Sequence, residues 1–188
     1  MSHRRVSVVR MCLAFVAGCG VLFLSTSAQA QSGARGSSMQ QVQGGGGQQG
    51  RPSFEARFWN YLQSAKYQNW APAPGQDGNL YAGKSPHGAF LKVYLNRKAI
   101  TNMDGMPNGA IVVKENYAPD KKMLGAVTVM YRSTGYDAEH GDWYWVKYNP
   151  DGTVAMKGDM RLAGKLNACI NCHAGADGDD YLFVNDAK

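Results

Sequence analysis

Ala110-Ile111-Val112-Val113-Lys114-Glu115-Asn116 and Gly125-Ala126-Val127-Thr128-Val129-Met130-Tyr131-Arg132-Ser133 are rich in β-branched and aromatic residues and have the period-two character of pleated strands. Ala118-Pro119-Asp120 lies between them and is a turn sequence. Outward in both directions the pattern repeats, in Ala89–Asn96, Trp143–Tyr148 and Thr153–Met156. Met106-Pro107-Asn108-Gly109 and Asn149-Pro150-Asp151-Gly152 punctuate it. Short strands in succession predict an antiparallel meander. Ser53–Asn69 has a different period. Phe54, Phe58, Tyr61, Leu62 and Ala65 recur at helical spacing behind Ser53, a good N-cap, so an amphipathic helix with an aromatic core stripe is predicted. Ala71-Pro72-Ala73-Pro74-Gly75 breaks it. Leu162–His173 reads as a short terminal helix, and no internal repeat is present. The predicted class is α+β: a mostly antiparallel β-sheet meander between an N-terminal amphipathic helix and a C-terminal helix.

The first residues belong to none of this. Met1–Arg10 carries Arg4, Arg5 and Arg10, and the charge-free run Met11–Ala30 ends in Ala28-Gln29-Ala30. A basic start, an apolar middle and an Ala-x-Ala end predict a secretory signal peptide over 1–30, and hence a periplasmic protein. Lipidation at Cys19 competes, but Val21–Leu24 stays apolar just after that cysteine. Residues 31–51 are rich in Gly, Gln and Ser and read as a flexible linker. The folded domain is expected over 52–188. Loss of Arg4, Arg5 and Arg10 lowers Lys plus Arg from 20 to 17 against 14 acids, a net charge of +3. So weak a basic balance points away from nucleic acid.

Cys12 and Cys19 leave with the leader, so Cys169 and Cys172 remain. An exported protein commonly cross-links distant cysteines; these two have no distant partner. Cys169-Ile170-Asn171-Cys172-His173 has the spacing of a haem attachment site. Two thiols add across the two vinyl groups of one porphyrin, and the next imidazole binds the iron. The motif therefore predicts one covalent haem c, held by Cys169 and Cys172, with His173 as iron ligand. A zinc site lacks a second ligand pair, and a thioredoxin-like dithiol lacks its βαβ surroundings. Met103, Met106, Met123, Met130, Met156, Met160, His87 and His140 have no context that marks a second axial ligand. Met130 reads as core, and His87 as a turn residue. An open distal site is expected.

The chain resembles the cytochrome P-460 family, whose relatives include cytochrome c′-beta. The resemblance rests on His87-Gly88 before Phe90–Asn96, Pro107–Glu115, Gly135-Tyr136-Asp137 running into Gly141-Asp142-Trp143, and Cys169–His173 followed by Asp180-Tyr181-Leu182-Phe183. It implies a homodimer with one five-coordinate haem. In the enzymes of the family a lysine is also bonded to the porphyrin edge and the haem oxidises hydroxylamine. Cytochrome c′-beta lacks that lysine, has aromatic residues over its distal face and binds nitric oxide. Lys114, in an apolar strand where a lysine must find a purpose or reach solvent, is the first candidate for the cross-link, and Lys92 the second. Glu139 is the candidate catalytic proton acceptor, with Asp142 and then Glu115 behind it. Phe90, Tyr94, Tyr131, Trp143 and Trp145 are candidate haem walls. Three functions follow: an oxidoreductase acting on hydroxylamine or nitric oxide with an outside redox partner protein, a nitric-oxide-binding protein, and an electron carrier.

Overall fold

Period-two alternation sorts the strand side chains onto two sheet faces, and each face has found its own cover. The computed structural model describes residues 50–177 and 180–183. The expected signal peptide, and the expected linker up to residue 49, lie outside the described residues.

Helix α1 (Phe54–Ser64) starts where expected, with Ser53 Oγ accepting from the Ala56 amide. Strands β1 (Ala71–Pro72) and β2 (Tyr81–Ala82) both pair with β3 (Phe90–Leu95). Helix α2 (Arg97–Ile100) follows. Then β3, β4 (Ile111–Tyr117), β5 (Leu124–Arg132) and β6 (Trp143–Tyr148) pair antiparallel in chain order, which is the predicted meander. β7 (Met156–Lys157) and β8 (Met160–Arg161) form a small hairpin. β9 (Ala163–Gly164) closes on β6, and α3 (Asn167–His173) follows. The fold is α+β. No described helix is long and apolar enough to cross a membrane.

On one face Tyr94, Val113, Val127, Val129, Val146 and Tyr148 pack against Phe58 and Leu62 of α1. On the other, Val93, Leu95, Val112, Met130, Trp143 and Trp145 pack against Leu166, Ile170 and Leu182. A central sheet with both faces buried explains why its strands read as near-continuous apolar runs rather than clean alternation. The second face carries the site.

Three boundaries differ from expectation. The first helix stops at Ser64 because Lys66 takes a left-handed conformation (φ 47°), and Tyr67–Asn69 form a separate 3-10 turn. The strand expected over Thr153–Met156 shrinks to one bridge, Tyr148 to Val154, before the β7–β8 hairpin. The terminal helix begins at Asn167, not Leu162, because Ala163 and Gly164 pair with Val146 and Trp145.

Candidate haem site

Helix α3 places Cys169, Cys172 and His173 at positions i, i+3 and i+4, which share one helix face. Cys169 is half-buried, Cys172 is exposed, and neither is in a disulfide. Burial pushes the Cys169 thiol up. His173 is buried. Its Nδ1 lies 2.7 Å from the Tyr181 carbonyl oxygen, which only accepts, so Nδ1 carries the proton and Nε2 keeps its lone pair. Burial, with the Lys114 charge nearby, holds this imidazole below its ordinary value, although the Tyr181 bond works the other way. A neutral ring tied through Nδ1 to a backbone carbonyl is how proteins present a histidine to a metal.

The Tyr181 carbonyl is itself fixed. Buried Asp180 pairs with Arg132 of β5 and accepts from the Met106 amide at 2.9 Å. Leu182 is buried in the core beside Ile170. The segment after α3 is thereby pinned to the sheet, and through it the tautomer of His173.

His173 opens onto a cavity of about 400 Å³. Val112, Met130, Trp145, Leu166 and Leu182 make its walls apolar. Lys114, Lys147, His87 and Cys169 also line it, and no Asp or Glu is among the described lining residues. Burial holds the Lys114 ammonium down at about 8. Trp145 Nε1 is buried without a hydrogen-bond partner, a donor that suits an acceptor in the cavity. An apolar slot, two thiols and an unprotonated imidazole nitrogen on one helix face suit a planar, apolar, thiol-anchored iron porphyrin. Among the described residues no group of three or more His, Cys, Asp or Glu side chains comes together as a metal-ion site.

The other candidates are scattered. Lys92 faces the α1 side, with its Nζ 5.5 Å from the Tyr94 ring centre. Glu115 also faces that side, buried, where it accepts from the hydroxyls of Tyr67 (2.8 Å), Tyr94 (2.9 Å) and Tyr117 (2.7 Å). Glu139 is exposed on the 3-10 turn Ala138–His140 and does not line the cavity. Asp142 accepts from the Asp137 amide at 3.0 Å within the same loop. Of the five candidate aromatic walls, Trp145 lines the cavity. Tyr131 stacks near Phe54 and Phe58 on the far face, and Trp143 is buried beneath the Arg132 guanidinium.

Two cavity residues carried no signal when read alone. Lys147 sits opposite Thr128, which sits opposite Lys114, so cross-strand register puts both lysines on the cavity face. His87 lies in the loop before β3.

The model of the cytochrome P460 family matches residues 64–184. The chain belongs to the cytochrome P460 family. A haem is therefore its cofactor, and the matched span contains every strand, α3 and the cavity residues named above. In this cytochrome P460 the longest helix among the described residues, α1, lies almost wholly before the match. No curated protein sequence matches the chain.

Proposed function

We propose that this member of the cytochrome P460 family is a periplasmic mono-haem c-type oxidoreductase acting on hydroxylamine or nitric oxide. Cys169 and Cys172 would hold the haem through thioethers, and His173 Nε2 would bind its iron. The observation that carries the reading is the 2.7 Å bond from His173 Nδ1 to the Tyr181 carbonyl, beside an apolar cavity lined by Lys114. When bound, the haem supplies an iron that takes a nitrogen ligand and a ring system that relays its electrons.

The chain's own residues would do the rest. Tyr181 holds the axial imidazole in one tautomer. The apolar walls exclude water from the reacting face. Lys114, depressed to about 8, is easily made the neutral amine that a bond to the porphyrin edge requires. A redox partner protein would take the electrons, and the protein would work as a homodimer.

One observation favours a second reading. Oxidising hydroxylamine requires a proton acceptor, whereas the described lining holds no carboxylate and Glu139 is exposed elsewhere. Capture of nitric oxide without turnover, as in cytochrome c′-beta, needs no such group.

Purified holoprotein given hydroxylamine and an artificial electron acceptor separates the two. Sustained reduction of the acceptor supports the oxidoreductase. A nitric oxide complex formed without acceptor reduction supports the binding protein.

A further inference from the structure

Tyr181 takes a left-handed backbone conformation, with φ 59°. A residue with a Cβ keeps that conformation only where its surroundings hold it. Here they hold it from both sides in sequence. Asp180 is buried and both of its carboxylate oxygens are engaged, Oδ1 by the Arg132 guanidinium and Oδ2 by the Met106 amide at 2.9 Å. Leu182 is buried in the core. The Tyr181 ring packs against the same core beside Gly141, where a Cβ would stand 3.4 Å from it. None of Arg132, Met106, Asp180 and Tyr181 is among the described residues that line the cavity.

The Tyr181 carbonyl is therefore placed from the sheet rather than from α3. Arg132 is the last residue of β5, and its amide donates to the Ala110 carbonyl at 2.9 Å while its own carbonyl accepts from Gly109 at 2.8 Å. Its guanidinium lies 5.5 Å from the centre of the Trp143 ring. A buried carboxylate is costly unless its partner stays in place, so Asp180 has one seat, and that seat is on β5. Tyr181 follows Asp180 directly in the chain. Its carbonyl oxygen, 2.7 Å from His173 Nδ1, is at the short end of the range for such a bond. An acceptor held that close draws on the Nδ1 proton and makes Nε2 a stronger donor.

We propose that Arg132 and Asp180 are positioning residues for the axial imidazole. Acting through the Tyr181 carbonyl, they set how strongly His173 donates to the haem iron. A stronger donor favours the ferric state, so the pair holds the midpoint potential down. Loosening the pair lets the carbonyl retreat, weakens the iron–imidazole bond and raises the potential. This rests on the haem reading above, and it needs no second protein ligand on the iron.

The test reads the iron–imidazole stretching band of ferrous holoprotein by resonance Raman spectroscopy, together with the midpoint potential. Arg132→Met keeps the length of the side chain and loses its charge. It is expected to lower the band frequency and raise the potential. Arg132→Lys keeps an ion pair and is expected to return both toward the wild-type values. Arg132→Met combined with Asp180→Leu leaves no unpaired buried carboxylate, and is expected to shift both as Arg132→Met does. Glu115→Leu loses buried hydrogen bonds on the other face of the sheet and is expected to shift neither. A haem-bearing double variant with the wild-type band and potential overturns the assignment, as does an equal shift in Glu115→Leu. Should the double variant not fold, Asp180→Asn loses the charge and keeps an acceptor for the Met106 amide, and the absence of a shift there overturns the assignment. A protein without porphyrin absorbance overturns the haem reading itself, whereas a band that does not move overturns this assignment alone.

Discussion

Lys114 and Glu115 are neighbours on β4 that serve opposite faces of the sheet: Lys114 lines the cavity beside His173, and Glu115 is buried among three tyrosine hydroxyls on the α1 side. One residue step changes the face in a strand. The two charged groups of the Val-Lys-Glu stretch therefore have separate roles and can be tested separately.

For Lys114 the account expects a bond to the porphyrin edge, and so an unusually red Soret band in the wild type. Lys114→Ala should return that band to the position of plain haem c while leaving the haem attached. Lys92→Ala should leave the spectrum unchanged, because Lys92 faces the other side of the sheet. Optical spectra of the three proteins check this. An unshifted band in the wild type would favour the nitric-oxide-binding reading.

Glu115→Leu removes the acceptor for Tyr67, Tyr94 and Tyr117 together. Burial and the adjacent carboxylate push the Tyr67 and Tyr94 hydroxyls up, so they remain donors at any ordinary pH. Unsatisfied buried donors cost about 1–3 kcal/mol each, less whatever relaxation recovers, so a loss of about 3 kcal/mol is expected. Urea unfolding measures it. Tyr67→Phe should cost about 1 kcal/mol, since only one bond is lost and no donor is orphaned. Both variants should keep the wild-type haem spectrum.

The sheet was legible from residue type alone. Val112, Val113, Val127 and Val129 are β-branched residues in short runs between Pro- and Gly-containing turns, and they pair as expected. Ser53 marked the start of α1 because its hydroxyl caps the free amide of Ala56. The elements that were missed depend on distant partners. Pro72 reads as a breaker, yet it pairs with Tyr94 from the sheet edge, where a proline is tolerated. Leu162–Leu166 reads as helix until β6 takes Ala163 and Gly164 as an edge strand. The haem motif was visible because Cys169, Cys172 and His173 are local in sequence. The place of His87 in the cavity was not, because it depends on Asn116, far along the chain.

Gly88 explains the close approach of the His87 loop to the sheet. A Cβ there would stand 2.6 Å from the Tyr117 carbonyl oxygen and 2.7 Å from its nitrogen. The Gly88 amide also donates to Asn116 Oδ1, the atom that holds His87. Gly88→Ala should lift the loop off β4 and cost about 1–3 kcal/mol as an overpacked site.

Glu55 ties α1 to the far side of β6. It accepts from the Tyr144 hydroxyl at 2.6 Å and pairs with Arg161 at 2.8 Å. Arg161 first, and then Tyr144 against the opposing effect of burial, hold its carboxyl at about 2, below the ordinary 4.5. Between those values the unfolded chain binds the extra proton. The contribution of Glu55 is therefore full above about pH 4.5 and is lost as the pH falls through about 2. Arg161 is half-exposed, so solvent screening limits the effect to about 1 kcal/mol. Thermal melts of wild type and Glu55→Gln should differ above pH 4.5 and converge toward pH 2.

The central claim is that a porphyrin is bonded to α3 through Cys169 and Cys172, with His173 on its iron. Intact mass spectrometry of the denatured protein, made in a host that matures c-type cytochromes, tests it most directly. A polypeptide heavier by one haem is expected, with the increment lost when Cys169→Ser and Cys172→Ser are combined with Lys114→Ala. A wild-type mass equal to that of the amino acids alone, or an increment that survives the triple substitution, would contradict it.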